Sequence, residues 1–293
     1  MDFILGVVPA ALWGFNLAYP EEDPIVDLTS GEGYGVKLMY FSHVVFQSTA
    51  VTIVSGAMAE RTRVLGYLVF AFYMSALVYP LCVRFTWGGG FLATLDVPFH
   101  DFAGSGVVHL LGGSAALVGC CVVGSREGRW NPNKAANFLA RDLSSVLLGM
   151  LVLWFCWYGF NAGSTVTLSS MSDVGAASNA VLTTTLSAVG GGSVHLFLSL
   201  ALNRGRSFDI VGITNGILGG LVGITAGCNA FNPMVSFGVG VVAGMICLFT
   251  MKLRLHLQID DVVDAFAVHG ACGAWGVLVV GLVHPDTGLF YGH

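Results

Sequence analysis

The stretches 101-DFAGSGVVHLLGG-113 and 260-DDVVDAFAVHGACG-273 decide how this chain is read. In each, an acid precedes a His by eight residues: Asp101 and His109, then Asp261 and His269. Each His follows a Val and opens a run of Gly, Ala and apolar residues. The two copies lie 160 residues apart. What they do depends on the solvent around them.

The chain has 293 residues, of which 55% are hydrophobic and 10% charged. Its mean hydropathy is +0.78. Soluble domains carry roughly 25% charged residues, so the solvent here is mostly lipid. Forty glycines are scattered through the apolar runs. In water they would weaken helices, whereas in a bilayer they let helices approach closely. The net charge of -5 comes with no basic patch of the kind a nucleic-acid binder needs. The seven cysteines fall in or beside apolar runs without a CxxC, and read as small packing residues rather than metal ligands. The N-terminal stretch lacks the positive segment and cleavage site of a signal peptide.

A membrane helix needs about 20 mostly apolar residues. Nine stretches qualify or come close: 3–19, 37–57, 64–86, 102–124, 142–163, 175–202, 208–228, 234–252 and 262–283. The connections are short, which predicts an all-α polytopic protein forming one transmembrane domain over 1–293. If the spans alternate, ten of the twelve Lys and Arg fall on one side: Arg61, Arg63, Arg126, Arg129, Lys134, Arg141, Arg204, Arg206, Lys252 and Arg254. Only Lys37 and Arg84 fall on the other. The positive-inside rule makes the first side cytoplasmic. The opposite, outer side carries Glu21, Glu22, Asp23, Asp27, Glu32, Asp96 and Asp173. Such acids raise the local concentration of cations, or are simply solvated loop residues.

Orientation gives the repeated motif a geometry. The span at Asp101 enters from outside and the span at Asp261 from the cytoplasm. At 1.5 Å per residue, each His lies about 12 Å in from its own surface. The two therefore approach the middle of a core about 30 Å thick from opposite leaflets, as in an inverted repeat. An ionisable group at that depth is costly and points to function. Two His without a third ligand make no zinc site. They suit relay of a proton or coordination of a small neutral polar solute. In WYGFNAGS, Trp157, Phe160 and Ser164 share one helical stripe near the outer end of the fifth span. They read either as a site for a small cation, which Trp87 could join, or as an interfacial aromatic belt.

SGAMAERTR (55–63), DFAGSGVVH (101–109), GFNAGS (159–164) and DDVVDAFAVHG (260–270) resemble, in order, the motifs of the ammonium transporter family (Amt/Mep/Rh), with the Amt branch nearest. The resemblance implies an eleven-helix inverted-repeat fold, a homotrimer with one pore per subunit, and a multi-pass protein of the plasma membrane. It implies ammonium as substrate, methylammonium as its analogue, and neither cofactor nor metal nor enzymatic activity. Ammonium would be recruited outside by Trp87, Phe160 and Ser164, with Asp101 supporting that site. It would lose a proton and cross as ammonia past His109 and His269. Phe46, Trp157 and Asn161 match residues flanking the pore. One ring of a two-Phe outer gate is matched by Phe160, whereas the other position falls on Ala50. Matched to eleven spans, this chain runs from within the second to the tenth, so it reads as incomplete at both ends. The alternative is a non-conducting member of the same fold, truncated or sensor-type.

Overall fold

A computed structural model of the protein describes residues 2–20, 34–202 and 204–291. Glu21, Glu22, Asp23, Asp27 and Glu32 lie outside them. Among the described residues there is no strand. We label the long helices α1 (residues 2–18), α2 (Tyr34–Ala57), α3 (Val64–Phe85), α4 (Ser105–Val123), α5 (Leu143–Gly163), α6 (Met171–Leu202), α7 (Ile210–Ile224), α8 (Pro233–His256) and α9 (Phe266–Val283). Seven of these, α2 to α6 with α8 and α9, are long and apolar enough to cross a bilayer. The stretch 3–19, read as the remnant of a span, and the stretch 208–228, read as a full one, form the shorter apolar helices Ile4–Ala18 and Ile210–Ile224. At 1.5 Å per residue each reaches only about 22 Å, so both fall short of the hydrocarbon thickness.

Helix ends follow local chemistry. Asp142 caps α5 by accepting from Ser144 and Ser145 N–H, Asp209 caps α7 through Gly212 N–H, and Asn232 caps α8 through Val235 N–H. Each satisfies donors that a helix start leaves open. Gly104 sits at φ +100°, where a side chain would be strained, and turns the chain into α4. Both α4 and α9 begin with a π turn, Ser105–Leu110 and Phe266–Ala271. In the first, His109 N–H reaches back to Gly104 O at 3.0 Å, five residues away. Such turns carry one extra residue and gather at functional sites.

α4 and α9 cross with backbone nearly touching backbone. A Cβ on Gly113 would lie 2.2 Å from Gly270 N, and one on Gly273 2.8 Å from Leu110 N. The exchange is reciprocal. The Gly four residues after each His faces the residue just after the other His. Lipid supplies no hydrophobic force between helices, so close packing of small residues holds such a crossing. α6, α7 and α8 use the same device: a Cβ on Gly191 would meet Gly216 O at 2.2 Å, and one on Gly244 would meet Gly191 O at 2.6 Å. α5 is the least covered helix, with Leu148, Leu151 and Phe155 exposed.

On the basic side the loops are locked by charge. Arg126 grips Asp260 with Nε–Oδ2 at 2.9 Å and Nη2–Oδ1 at 2.9 Å, and reaches Glu60 at 2.5 Å. Arg129 adds Nε–Oδ1 at 3.2 Å. Arg61, from the AERTR stretch, donates to Gly124 O at 2.6 Å and to Asp260 O at 2.5 Å. The guanidinium groups of Arg126 and Arg129 also lie over the Phe138 ring. Three loops are thus joined around one carboxylate whose side chain is fully buried.

Two outcomes are expected. Gly113→Val cannot be accommodated against Gly270, and should abolish recovery of folded protein in detergent. Gly149→Ala, with nothing within 4 Å of the new methyl, should recover normally. Equal recovery of both would show that the crossing is looser than described. The second concerns acid. Burial raises the Asp260 carboxyl, but hydrogen bonding and charge from Arg126 outweigh it and bring its pKa from 3.8 to about 2. A carboxyl depressed in the fold contributes stability above its unfolded pKa and loses it as pH falls through the folded value. Between about pH 4 and 2 the protein should therefore lose stability that Asp260→Asn lacks at every pH. Parallel acid-unfolding curves for the two would contradict this.

Candidate functional site

The site lies along the line where α2, α4, α5 and α9 meet. At its outer end a cavity of about 210 Å³ is lined by Tyr19, Met39, Ser42, His43, Phe46, Tyr79, Trp87, Phe102, Ser164 and Val166. Trp87 is fixed from below, its indole N–H donating to Asp101 O at 2.7 Å. Ser164 Oγ donates to Phe160 O at 2.8 Å, and its lone pairs stay available. Phe46 packs on both aromatics, 5.8 Å from Trp87 and 4.5 Å from Phe160, centre to centre.

A second cavity, about 450 Å³, runs along the flank between α2 and α5, from Leu38 and Phe41 past the Phe46–Phe160 pair to His109, with Trp157 and Thr49 in its wall and Phe41, Leu153 and Cys156 exposed. It is almost wholly apolar in lining. Ala50, the position matched to the second gate ring, is fully buried. The ring that faces Phe160 comes instead from Phe46, one helical turn earlier on α2.

Beneath this pair the two motif histidines meet. His109 and His269 lie edge to edge, 5.2 Å between centres with their planes 21° apart, and Nδ1 faces Nδ1 at 3.2 Å. One Nδ1 must donate and the other accept. The two rings therefore hold opposite tautomers, and two bridging protons would repel. His109 Nε2 is buried without a hydrogen-bond partner among the described residues. Trp157 stacks on the other side of His109 at 5.0 Å and 15°, held by an indole N–H bond to Thr225 Oγ1 at 3.0 Å.

The acids of the two motifs stay out of the lumen. The Asp101 carboxylate accepts from Gly104, Ser105, Gly106 and Val107 N–H at 2.8–3.0 Å, the open donors of the α4 start. This cap fixes the helix that carries His109 and, through its carbonyl, Trp87. Asp261 does less at the matching place, accepting from Phe266 N–H at 2.9 Å.

Two sequence expectations change. Trp157 stays in ring contact with Phe160, 5.8 Å between centres, but lies two turns deeper on α5 than Ser164, outside the outer cavity, and covers His109. Asn161, grouped with the pore flank, lines neither cavity. It is fully buried and donates to Thr184 Oγ1 at 2.8 Å, tying α5 to α6. Sequence reasoning passed over His43 and Tyr79, whose rings meet at 5.2 Å in the outer cavity wall. The spacing of His43 and Phe46, one turn apart on α2, was the available signal. Among the described residues no three His, Cys, Asp or Glu side chains converge as a metal site.

Comparison with known proteins follows the same lines. The model of the Ammonium Transporter Family matches residues 1–292. The putative ammonium transporter sll1017 of Synechocystis sp. is 38% identical over 299 residues, which cover 98% of this chain and 67% of that protein. Ammonium transporter Amt2 of Archaeoglobus fulgidus is 34% identical over 321 residues, covering 100% of this chain and 67% of the relative. Among solved structures, Candida albicans Mep2 superposes with a TM-score of 0.82 at 28% identity, covering 100% of this chain and 68% of that one. A Sensor Amt Protein superposes with a TM-score of 0.80 at 28% identity, covering 96% and 71%. Matched almost from end to end by the family model, the chain belongs to the ammonium transporter family.

Proposed function

We propose that this chain carries ammonium across a membrane, the plasma membrane, as a subunit of a homotrimer. The cation is recruited at the outer cavity and its neutral base is conducted past the two histidines. The observation that carries this reading is the order of surfaces along one line: an outer cavity with aromatic faces and a hydroxyl, an aromatic pair, then the bridged imidazoles, of which His109 lines an apolar cavity.

Each surface has a physical task. Trp87, Phe46 and Phe160 present ring faces that attract a small cation, and Ser164 Oγ can accept one of its N–H groups. Asp101 supports the site by fixing Trp87 rather than by touching the solute. Potassium and ammonium are similar in size and charge, so this site alone discriminates poorly. The apolar cavity discriminates. A bare cation there meets a desolvation cost of several kcal/mol, and only ammonium can shed a proton and proceed as a neutral molecule. The imidazole nitrogens then offer a neutral amine both a donor and an acceptor. Trp157 holds His109 in plane while Asn161 fixes α5. The exposed apolar face of α5 suits lipid or a neighbouring subunit.

A non-conducting member of the same fold is the second reading, favoured by the likeness to a Sensor Amt Protein. Labelled methylammonium uptake in cells lacking their own ammonium uptake separates the two. Uptake suppressed by unlabelled ammonium supports conduction, and no uptake at a normal surface level supports the second reading.

Given uptake, His109→Ala and His269→Ala are each expected to change the rate at saturating substrate by about tenfold or more, equivalent to roughly 1.4 kcal/mol. Equal rates in wild type and both variants, at equal surface expression, would remove the histidines from the path. Ser164→Leu and Trp87→Leu should instead weaken uptake at low substrate and matter less at high substrate. A defect independent of concentration would argue against recruitment at the outer cavity.

A further inference from the structure

The outer cavity has a neighbour of opposite chemistry. A pocket of about 290 Å³ shares Tyr19, Met39 and Trp87 with it and adds Arg84, Gly88 and Gly89. Among the described residues Arg84 is the one charged group in that second wall. Trp87 therefore stands between a space read as a cation site and a fixed positive charge.

Arg84 is held in place. It lies in the last turn of α3, three residues before Trp87, and its Nη1 donates to Gly88 O. The loop after α3 folds back on this helix end. Leu92 N–H donates to Phe85 O at 3.1 Å, and a Cβ on Gly90 would lie 2.2 Å from Arg84 O. A Cβ on Gly88 would lie 1.9 Å from Ala18 O, so the loop is also pressed against the end of α1. The guanidinium is half-buried, and no carboxylate pairs with it among the described residues. Asp101, beneath Trp87, has both oxygens committed to four backbone donors of α4. The charge beside Trp87 is thus not cancelled by an ion pair.

Such a charge acts on every cation in the adjoining cavity, and its repulsion grows with the charge of the ion. A divalent cation is opposed about twice as strongly as ammonium at the same place. The difference matters on this face. By sequence the outer loops are rich in acids, and Asp96 is exposed, so divalent cations gather there together with ammonium. Ring faces and a hydroxyl attract both kinds of ion and do not reject the divalent one. Building on the recruitment reading above, we propose that Arg84 is a specificity-determining residue of the outer cavity. Its charge weakens the capture of every cation and rejects divalent ones, which leaves the cavity open to ammonium.

Calorimetric titration of methylammonium into the full protein in detergent tests this without requiring transport. Arg84→Gln should bind methylammonium about twofold to tenfold tighter than wild type, as expected for removal of a unit charge roughly 8 Å away. Arg84→Met, a second uncharged variant that keeps the aliphatic stem, should do the same. Arg84→Lys keeps the charge and should stay near wild type. Mg2+ at matched ionic strength should compete with methylammonium in the two uncharged variants and not in wild type. In 1 M NaCl, where screening shortens the reach of a charge to about 3 Å, the proteins should converge. A gain in Arg84→Lys equal to that in Arg84→Gln would assign the effect to the lost bond to Gly88 O and overturn the proposal. Binding that Ser164→Leu weakens but that is equal in wild type and both uncharged variants would overturn the role of Arg84 alone. Binding indifferent to Ser164→Leu, or no binding to any of these proteins, would remove the recruitment site and this proposal with it.

Discussion

The crossing of α4 and α9 at bare backbone is the constraint on which the rest of the structure depends. Two helices that enter from opposite faces touch where Gly113 meets Gly270 and Gly273 meets Leu110. Any side chain at these glycines would push the helices apart. His109 and His269 each stand four residues from one of these contacts, so the crossing sets the distance between the rings. A 3.2 Å approach of two imidazoles needs that closeness, because a long side chain between the helices would separate them. The reciprocity of the contact also explains why one short motif appears twice: each copy supplies one His and one of the glycines that admit the other.

Once the crossing is made, the chain must satisfy polar groups that lipid cannot. It does so at the two ends in different ways. On the outer side Asp101 takes up four backbone donors and leaves no charge facing the cavity. On the basic side Asp260 gathers two arginines and a third arginine's bond to its carbonyl, which pins three loops to one another. Neither acid contacts the lumen. Their work is to hold helix starts and loops so that the lumen itself can remain apolar.

Much of this was legible in the residues. The D-x7-H spacing, written twice with opposite entry, is a statement about depth, and depth brought the rings together. The side carrying Arg126 and Arg254 was readable from charge alone. What escaped were features that depend on rotation about a helix axis. WYGFNAGS places Trp157, Phe160 and Asn161 within five residues, yet they point to the histidine, the aromatic pair and α6 respectively. Periodicity shows which residues share a stripe but not what each stripe faces. The motif match places the second gate position at Ala50, which carries no ring and puts a two-ring gate in doubt. Phe46, one turn earlier on α2, is the ring that packs on Phe160. The 15-residue apolar helix 210–224 reads as a full span because the residues after Ile224, Thr-Ala-Gly-Cys, carry the low-polarity run onward.

The π turns that open α4 and α9 carry a consequence for phase. Each adds a residue without adding a turn, so the helix beyond it is rotated by about 100° relative to an uninterrupted α-helix. Because the π turn is the first turn of α4, it sets the angle between the Asp101 cap and every residue from Leu111 onward. Both copies carry the offset at the same place, ending one residue or two after the His. The two halves thus stay matched to each other. Removing one residue from a single π turn would leave that helix nearly as long as before, but would turn its imidazole away from its counterpart. The quantity preserved between the two motifs is an angle, and the extra residue in each turn is what sets it.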